Sequence, residues 1–566
     1  MTLQPAPLRQ PTFTQAHRAT WVSTLIGGLV LSLALSASGC SRSSSSRGKV
    51  DPNTLYLQLP ADPATLNPIT SSDEAFASKI QSYVFSRLLT RNDDTYDWVP
   101  SLAEKYEVSK DGKAFTFTLR DGVKWHDGQP LTAEDVKYSF DVYFEGRFDA
   151  PHVKVYLEGI QDAQVIDSRT IRFRTKQVYF KNFDTVATLT ILPKHLYGVG
   201  DPKDPRFNKT LIGTGPYLLE NWEKGQKITL KKNPDFYGAS LPYFSERFQI
   251  PRIFFRIVKE EAVALELLKK GDLDQIALTP EQYMQKTQGT EWGKSVLAIK
   301  GENSAPQNFN YGFIAWNMKH PFFQDRLVRL AMTHLVNRDF MIEKFLFGLS
   351  EKAVGPFGNR SSATSPKVKA LDYDPKKALT LLEKAGWKLG PQGLSRKIDG
   401  KDSLFEFTLL NANKDSEKYW TIVKEDMKKV GITLNIKTIE WNSFLKLLDE
   451  RKFDAVALAW QVNSLEPDPK QIWHSASIPS PGNNFVSYSN TKVDQLIDRM
   501  RATMDVEKRR QMLHEIHELI AEDAPYTFLF NRRFTLYAHT SRVQKKQDLL
   551  KYDLGMDTWT LLPPQN

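Results

Sequence analysis

Cysteine is almost missing from this chain: Cys40 stands alone among 566 residues. Beyond it there is no thiol for a disulfide, a Cys-based metal site or a redox pair. After residue 40 no stretch approaches the roughly 20 continuous apolar residues of a membrane span. The charge is not concentrated either. The net +10, of which Arg9 and Arg18 supply two units, is spread along the length. That argues against nucleic-acid binding and leaves open attraction to an anionic membrane surface or to acidic ligands. Catalytic strings are lacking too. No Gly-x-Ser-x-Gly elbow occurs. The pair Gly213-Thr214-Gly215 has no third glycine and no following Gly-Lys-Ser/Thr, so a phosphate loop is not supported. No internal repeat is visible. What remains, at 41% hydrophobic and 25% charged residues, is a globular composition long enough for about three domains.

The N-terminal segment has an export layout. Arg9 and Arg18 precede an apolar run from Trp21 to Leu35, and no acidic residue comes before Asp51. Ala37-Ser38-Gly39 then lead into Cys40, which looks like a bacterial lipoprotein processing site. There the signal is cut before the cysteine and acyl chains are attached to it. The usual Leu three residues earlier is Ala37 here. The competing reading is an uncleaved anchor with an incidental cysteine. Two or more acyl chains would hold stably at about 0.8 kcal/mol per buried CH₂. Ser41 to Gly48, Ser-rich with Arg42 and Arg47, reads as a flexible tether.

Two α/β halves follow. In the first, Thr54 to Leu59 is a strand. A helix presents Ile80, Val84 and Leu88 on one face. Phe115, Phe117 and Leu119 alternate with Thr116, Thr118 and Arg120 as a half-buried strand, and Arg169 to Arg174 is another. Between them Thr132 with Asp135 caps a helix bearing Val136, Phe140 and Tyr143. In the second half, Asp374-Pro375 starts a helix that Gly386 stops. Phe405 to Leu410 is a strand. A helix through Ile422, Met427 and Val430 ends at Gly431, and Ile432, Leu434 and Ile436 alternate as a strand. Trp441 to Leu448 is a helix, and Phe453 to Trp460 a largely apolar strand. Short joints in this alternation predict right-handed crossovers and adjacent parallel strands. Ligands favour the ends of such strands and the junctions between domains.

One string goes further than periodicity. Arg120-Asp121-Gly122-Val123-Lys124-Trp125-His126-Asp127-Gly128-Gln129-Pro130-Leu131-Thr132-Ala133-Glu134-Asp135-Val136 resembles the signature of the family 5 extracellular solute-binding proteins, the peptide- and nickel-binding subunits of bacterial ABC importers. Thr65-Leu66-Asn67-Pro68, Gly213-Thr214-Gly215-Pro216-Tyr217, Leu267 to Asp274 and Asp325 to Ala331 resemble further elements of that family. Pro467-Asp468-Pro469, Trp473-His474-Ser475 and Asn484 to Asn490 resemble the late block of its oligopeptide-binding branch.

The resemblance implies an α/β, two-lobed periplasmic-binding-protein fold with an extra subdomain on lobe 1 and a ligand cleft between the lobes. A signal peptide would occupy 1–39 and a lipidated tether 40–50. Lobe 1 would be built from 51–89, 191–280 and 524–566, with the subdomain at 90–190 and lobe 2 at 281–523. Peptide binders of the family hold their ligand mainly through its backbone, as an added strand would. The peptide ammonium meets an aspartate three residues after a Trp at a strand end. Here Trp460-Gln461-Val462-Asn463 occupies that place, so the aspartate is replaced by Asn463, which accepts a hydrogen bond but carries no charge. Asp468 or Glu466 could compensate, or the ligand could lack a free amine. Trp460 could equally be core packing. Ser72, Asp73 and Glu74 align with a segment lining the opposite wall, although Asp73 and Glu74 also suit a helix N-terminus. His152 falls near another lining position, or in a solvated loop.

Other chemistry finds less support. His514 and His517 lie three apart on a helix whose apolar face is Met512, Ile516, Leu519 and Ile520, so both read as solvated and no zinc-protease spacing is present. Glu260-Glu261 reads as solvated charge on a helix. The expectation is therefore a non-catalytic, lipid-anchored, monomeric solute-binding subunit, without cofactor or metal, on the outer side of a bacterial membrane. It would capture peptides for an ABC permease and its ATPase subunits, and would not bind nucleic acid. The alternatives are a binder of a non-peptide solute, such as an oligosaccharide or metal complex, and a periplasmic lipid-anchored hydrolase.

Overall fold

The computed structural model describes residues 50–71, 75–148, 150–201, 204–303, 311–460, 466–479 and 482–562. Cys40 and the export segment lie outside them. No described helix is long and apolar enough to cross a membrane.

Three of the six sheets among the described residues organise the fold. The first has seven strands, in edge-to-edge order Val296–Glu302, Phe534–Thr540, Gln275–Ala277, Thr54–Leu59, Arg252–Ile257, Lys227–Lys232 and Tyr217–Glu223. Thr54–Leu59 runs parallel to both of its neighbours. The second has six strands, in the order Ser350–Lys352, Tyr526–Arg532, Tyr311–Trp316, Ala455–Trp460, Glu406–Asn411 and Thr433–Thr438. Glu406–Asn411 is parallel to Thr433–Thr438 and to Ala455–Trp460, as the strand-helix alternation predicts. The joint between the first pair is a helix, Glu417–Lys428, that packs Trp420, Val423 and Met427 inward. It is followed by Gly431 at φ +80°, a left-handed position that favours glycine. The third sheet is a four-stranded antiparallel subdomain, Ala103–Val108, Ala114–Leu119, Thr170–Thr175 and Ile160–Val165.

The chain passes from the first sheet to the second between Glu302 and Tyr311, and returns between Arg532 and Phe534. Both crossings come later than the 280 and 523 that the resemblance implies. The reason is pairing. Val296–Glu302 is zipped along its whole length to Phe534–Thr540, while Tyr526–Arg532 pairs with Tyr311–Trp316 across one register shift. The start of the first crossing is bonded to the second, Asn303 N–H donating to the Arg533 carbonyl at 3.0 Å.

Several family-like strings prove to be staples of the fold. Asp274 is fully buried and accepts from Tyr56 N–H (2.9 Å) and the Thr540 hydroxyl (2.8 Å), tying three strands of the first sheet. Buried Arg329 donates to the carbonyls of Phe323, Gln324 and Asp523. Asn484, also fully buried, bridges His474 and Tyr488. Such groups are tolerated inside because each finds its partners.

Two local expectations need correction. The helix carrying Ile80 ends at Val84, so Leu88 is buried from beyond it. Gly215 N–H takes the Val84 carbonyl at 2.8 Å, the acceptor that residue 88 would have used in a continuing helix. His517 is fully buried and not solvated, because the loop after Lys352 covers its face of the helix. Ser365 N–H donates to its Nδ1 (2.9 Å) and its Nε2 faces the Val354 carbonyl (3.3 Å). His514 stays at the surface, as expected, with Nε2 near the Ser362 carbonyl. Glu260 and Glu261 are exposed at a helix start.

Candidate ligand-binding site

The carboxyl end of Ala455–Trp460, in the middle of the second sheet, is where the fold directs attention. Trp460 is the last residue of that strand, opposite Tyr311. Its ring packs against Phe313 and Phe485 at centroid distances of 6.1 and 6.0 Å. Behind them Phe313 stacks on Tyr526 at 4.2 Å. Trp460 is half-buried, one edge of an aromatic layer whose rest is core. The structure thus brings Trp460 to a strand end at the surface of a packed cluster. Gln461, Val462 and Asn463, together with Ser72, Asp73 and Glu74, lie outside the described residues. His152 belongs to the short helix Pro151–Leu157, and its side chain is not described.

The two acids considered as substitutes for the missing aspartate are already committed. Asp468 pairs with Arg501, and its Oδ2 also accepts the Tyr179 hydroxyl at 2.6 Å. Glu466 pairs with Arg509 at 2.6 Å. Each acid therefore meets a guanidinium and is not a free charge for a ligand amine.

Opposite them stands Tyr179-Phe180-Lys181, which follows the last strand of the subdomain in sequence. Phe180 N–H donates to the Arg501 carbonyl at 3.1 Å. The Arg501 guanidinium lies 4.0 Å from the Tyr179 ring and that of Arg509 lies 4.6 Å from the Phe180 ring. Burial pushes the Lys181 ammonium down to about 8, while Asp184 and Glu466 pull the other way. Nothing in the local pattern marks Tyr179, Phe180, Arg501 or Arg509. The one available signal was the pair of acids, whose partners come from distant segments.

A second constellation joins two of the family-like strings. His126 N–H donates to the Gly213 carbonyl at 2.9 Å, and Gly213 N–H donates to the His126 Nδ1 at 3.2 Å. With Nδ1 accepting, Nε2 carries the proton and donates to the Gly215 carbonyl at 3.0 Å. Burial pulls this imidazole below the usual histidine value, which keeps it neutral. The arrangement is a structural clasp. Among the described residues no group of three or more His, Cys, Asp or Glu could hold a metal ion.

Comparison with known proteins agrees with this architecture. The sequence model of "Bacterial extracellular solute-binding proteins, family 5 Middle" matches residues 97–484. An oligopeptide-binding protein of Bacillus subtilis, AppA, is 29% identical over 535 residues, 91% of this chain and 94% of its own. The structure of AppA from the same organism in complex with a nonapeptide superposes with a TM-score of 0.77 at 27% identity, covering 90% of this chain and 99% of that one. NikZ from Campylobacter jejuni, solved with Ni(L-His), also gives 0.77 at 25% identity, covering 90% of this chain and all of the other (100%). With the two-sheet, two-crossing fold and a family match over more than half its length, this chain belongs to the family 5 bacterial extracellular solute-binding proteins.

Proposed function

We propose that this protein is the peptide-capturing subunit of an ABC importer, most suited to oligopeptides. It closes its two sheet-based bodies around the ligand and delivers it to a membrane permease driven by ATPase subunits. The observation that carries this reading is the likeness to AppA bound to a nonapeptide over nine-tenths of this chain. The family consists of transport binding proteins and not of enzymes. In this reading Trp460, Gln461, Val462 and Asn463 form one wall, with Ser72, Asp73, Glu74 and His152 on the other. The first body with its subdomain acts as lobe 1 and the second as lobe 2. Cys40 carries the lipid anchor, and the monomer works on the outer side of the membrane.

Hinge closure fits the chain path. The bodies are joined by two crossings, bonded to one another at Asn303 and Arg533, an arrangement that permits rotation. Backbone-dominated capture also fits an exposed strand end beside an aromatic layer. A second reading, a chelated metal complex as ligand, is favoured by the equal likeness to NikZ. Native mass spectrometry of the body from Ser41 onward, purified without refolding, separates them. A released mass that fragments as a peptide supports the first reading and gives ligand length. A discrete non-peptide mass overturns it in favour of the second.

A further inference from the structure

Apart from the two crossings, the described contacts between the bodies differ sharply in kind. Glu302 pairs with Arg360 at 3.2 Å beside the crossings themselves. Glu281 and Lys418, 3.1 Å apart, are both well exposed, and such pairs contribute little. Phe347 and Leu349 pack onto the core of the first body next to the crossings. A further contact, away from the crossings, is also buried. Tyr179 is 6% exposed and Arg509 5%, and the Asp468 side chain is 8% exposed.

We propose that Tyr179 and Phe180 are a latch. They hold the four-stranded subdomain against the second body in the closed state and thereby set how fast ligand leaves. The proposal rests on the peptide-capture reading for what is retained, but its geometry stands apart from that reading.

The receptor half of the latch is complete without its bolt. Asp468 is paired with Arg501, and Glu466 with Arg509, all within the second body. Withdrawal of Tyr179 and Phe180 leaves no unpaired charge behind, so opening does not incur the large penalty of an isolated buried ion. What closing adds is specific. The Tyr179 hydroxyl donates to a carboxylate, a charge-assisted bond. Its ring slides under the Arg501 guanidinium. Phe180 packs its ring against the aromatic and aliphatic core of the second body, under Arg509, and its N–H caps the Arg501 carbonyl. Burial pushes the Tyr179 phenol up to about 12, so the hydroxyl keeps its proton and remains a donor at neutral pH. These contacts are enough to bias a two-state equilibrium and too few to make it irreversible.

The test uses two spin labels, at the exposed positions Lys110 in the subdomain and Lys508 in the second body, introduced as Lys110→Cys and Lys508→Cys in protein carrying Cys40→Ala. Pulsed EPR distances are recorded without ligand for the parent, Tyr179→Phe and Phe180→Ala. Dissociation of a fluorescein-labelled nonapeptide is followed by stopped flow. The latch predicts a shift of both variants toward the longer distance, and about tenfold faster peptide release for Tyr179→Phe, the effect of losing one charge-assisted bond. Unchanged distances with unchanged release overturn the latch and leave peptide capture standing. A distance shift in a protein that binds no nonapeptide keeps the latch and sinks the peptide reading. Tyr179→Phe changes a single oxygen atom, so it decides the matter even if Phe180→Ala does not fold.

Discussion

His126 and Gly215, 89 positions apart, are joined through the imidazole Nε2, which lies 3.0 Å from the glycine carbonyl oxygen. The same ring accepts from Gly213 N–H, and the Asn233 amide donates to the same Gly215 carbonyl at 3.2 Å. The clasp fixes the turn against the end of the helix Ala75–Val84. His126→Ala removes both side-chain bonds, leaving the buried Gly213 N–H without its acceptor and the Gly215 carbonyl with Asn233 alone. It should cost about 2–4 kcal/mol of folding stability. Urea unfolding followed by tryptophan fluorescence measures it. A loss below half a kcal/mol would show that the clasp is incidental.

The glycines of that turn are required by space. A Cβ on Gly213 would stand 1.9 Å from the Val84 carbonyl oxygen, and one on Gly215 would stand 2.6 Å from it. These neighbours are backbone and cannot swing away. Gly213→Ala should therefore destabilise more than Gly215→Ala, by several kcal/mol in the first case. Thermal melts of the two variants beside the parent give the order; a reversed order contradicts the steric account.

Acid should weaken the fold through His517. Burial pulls this imidazole down to about 4, against an ordinary value near 6.5. The folded state holds it neutral, and the unfolded chain takes up the proton more readily. The stability it contributes is thus complete above pH 6.5 and is lost as pH falls toward 4, in total about 3 kcal/mol by pH 4. His126, His334 and His539 are depressed by burial in the same direction and add to the slope. Urea midpoints across pH 4 to 7.5 should fall steadily on the acid side for the parent and less steeply for His517→Asn. Parallel profiles for the two proteins would remove His517 from this account.

Ligand charge should respond to Asn463. With Glu466 and Asp468 held by Arg509 and Arg501, an amine reaching this position would meet no free carboxylate from them. The parent should discriminate weakly between a peptide and its N-acetylated form. Asn463→Asp should improve the free-amine peptide by about tenfold relative to the acetylated one. Calorimetric titration with such a pair decides it, and an unaltered ratio takes Asn463 out of the binding wall.

Legibility in the sequence followed the range of the interactions. The run from Phe405 to Trp460 could be read almost residue by residue, since its caps, periodicity and short joints are local. Where a distant segment decided the outcome, reading failed. The helix after residue 75 stops at Val84 because Gly215 takes its carbonyl. His517 is buried because a loop from another part of the second body covers a face that helix counting assigns to water. Val296–Glu302 joins the first sheet because a strand more than two hundred residues later pairs with it. Tyr179 and Phe180 carry no pattern at all. The strings that revealed the family turned out, at Asp274, Arg329, Asn484 and His126, to be those that hold the scaffold. They report the fold more directly than the ligand.

The position of Phe534–Thr540 between Val296–Glu302 and Gln275–Ala277 has a consequence for the order of events during synthesis. The second sheet has all six strands once the ribosome has passed residue 532. The first, though it begins at residue 54, waits for the strand that joins its two parts. The body encoded earliest is therefore the last that can be finished. A chain cut short just after Arg532 would keep one sheet whole and leave the other in two pieces, so premature stops near the carboxyl end should harm this protein out of proportion to the residues they remove.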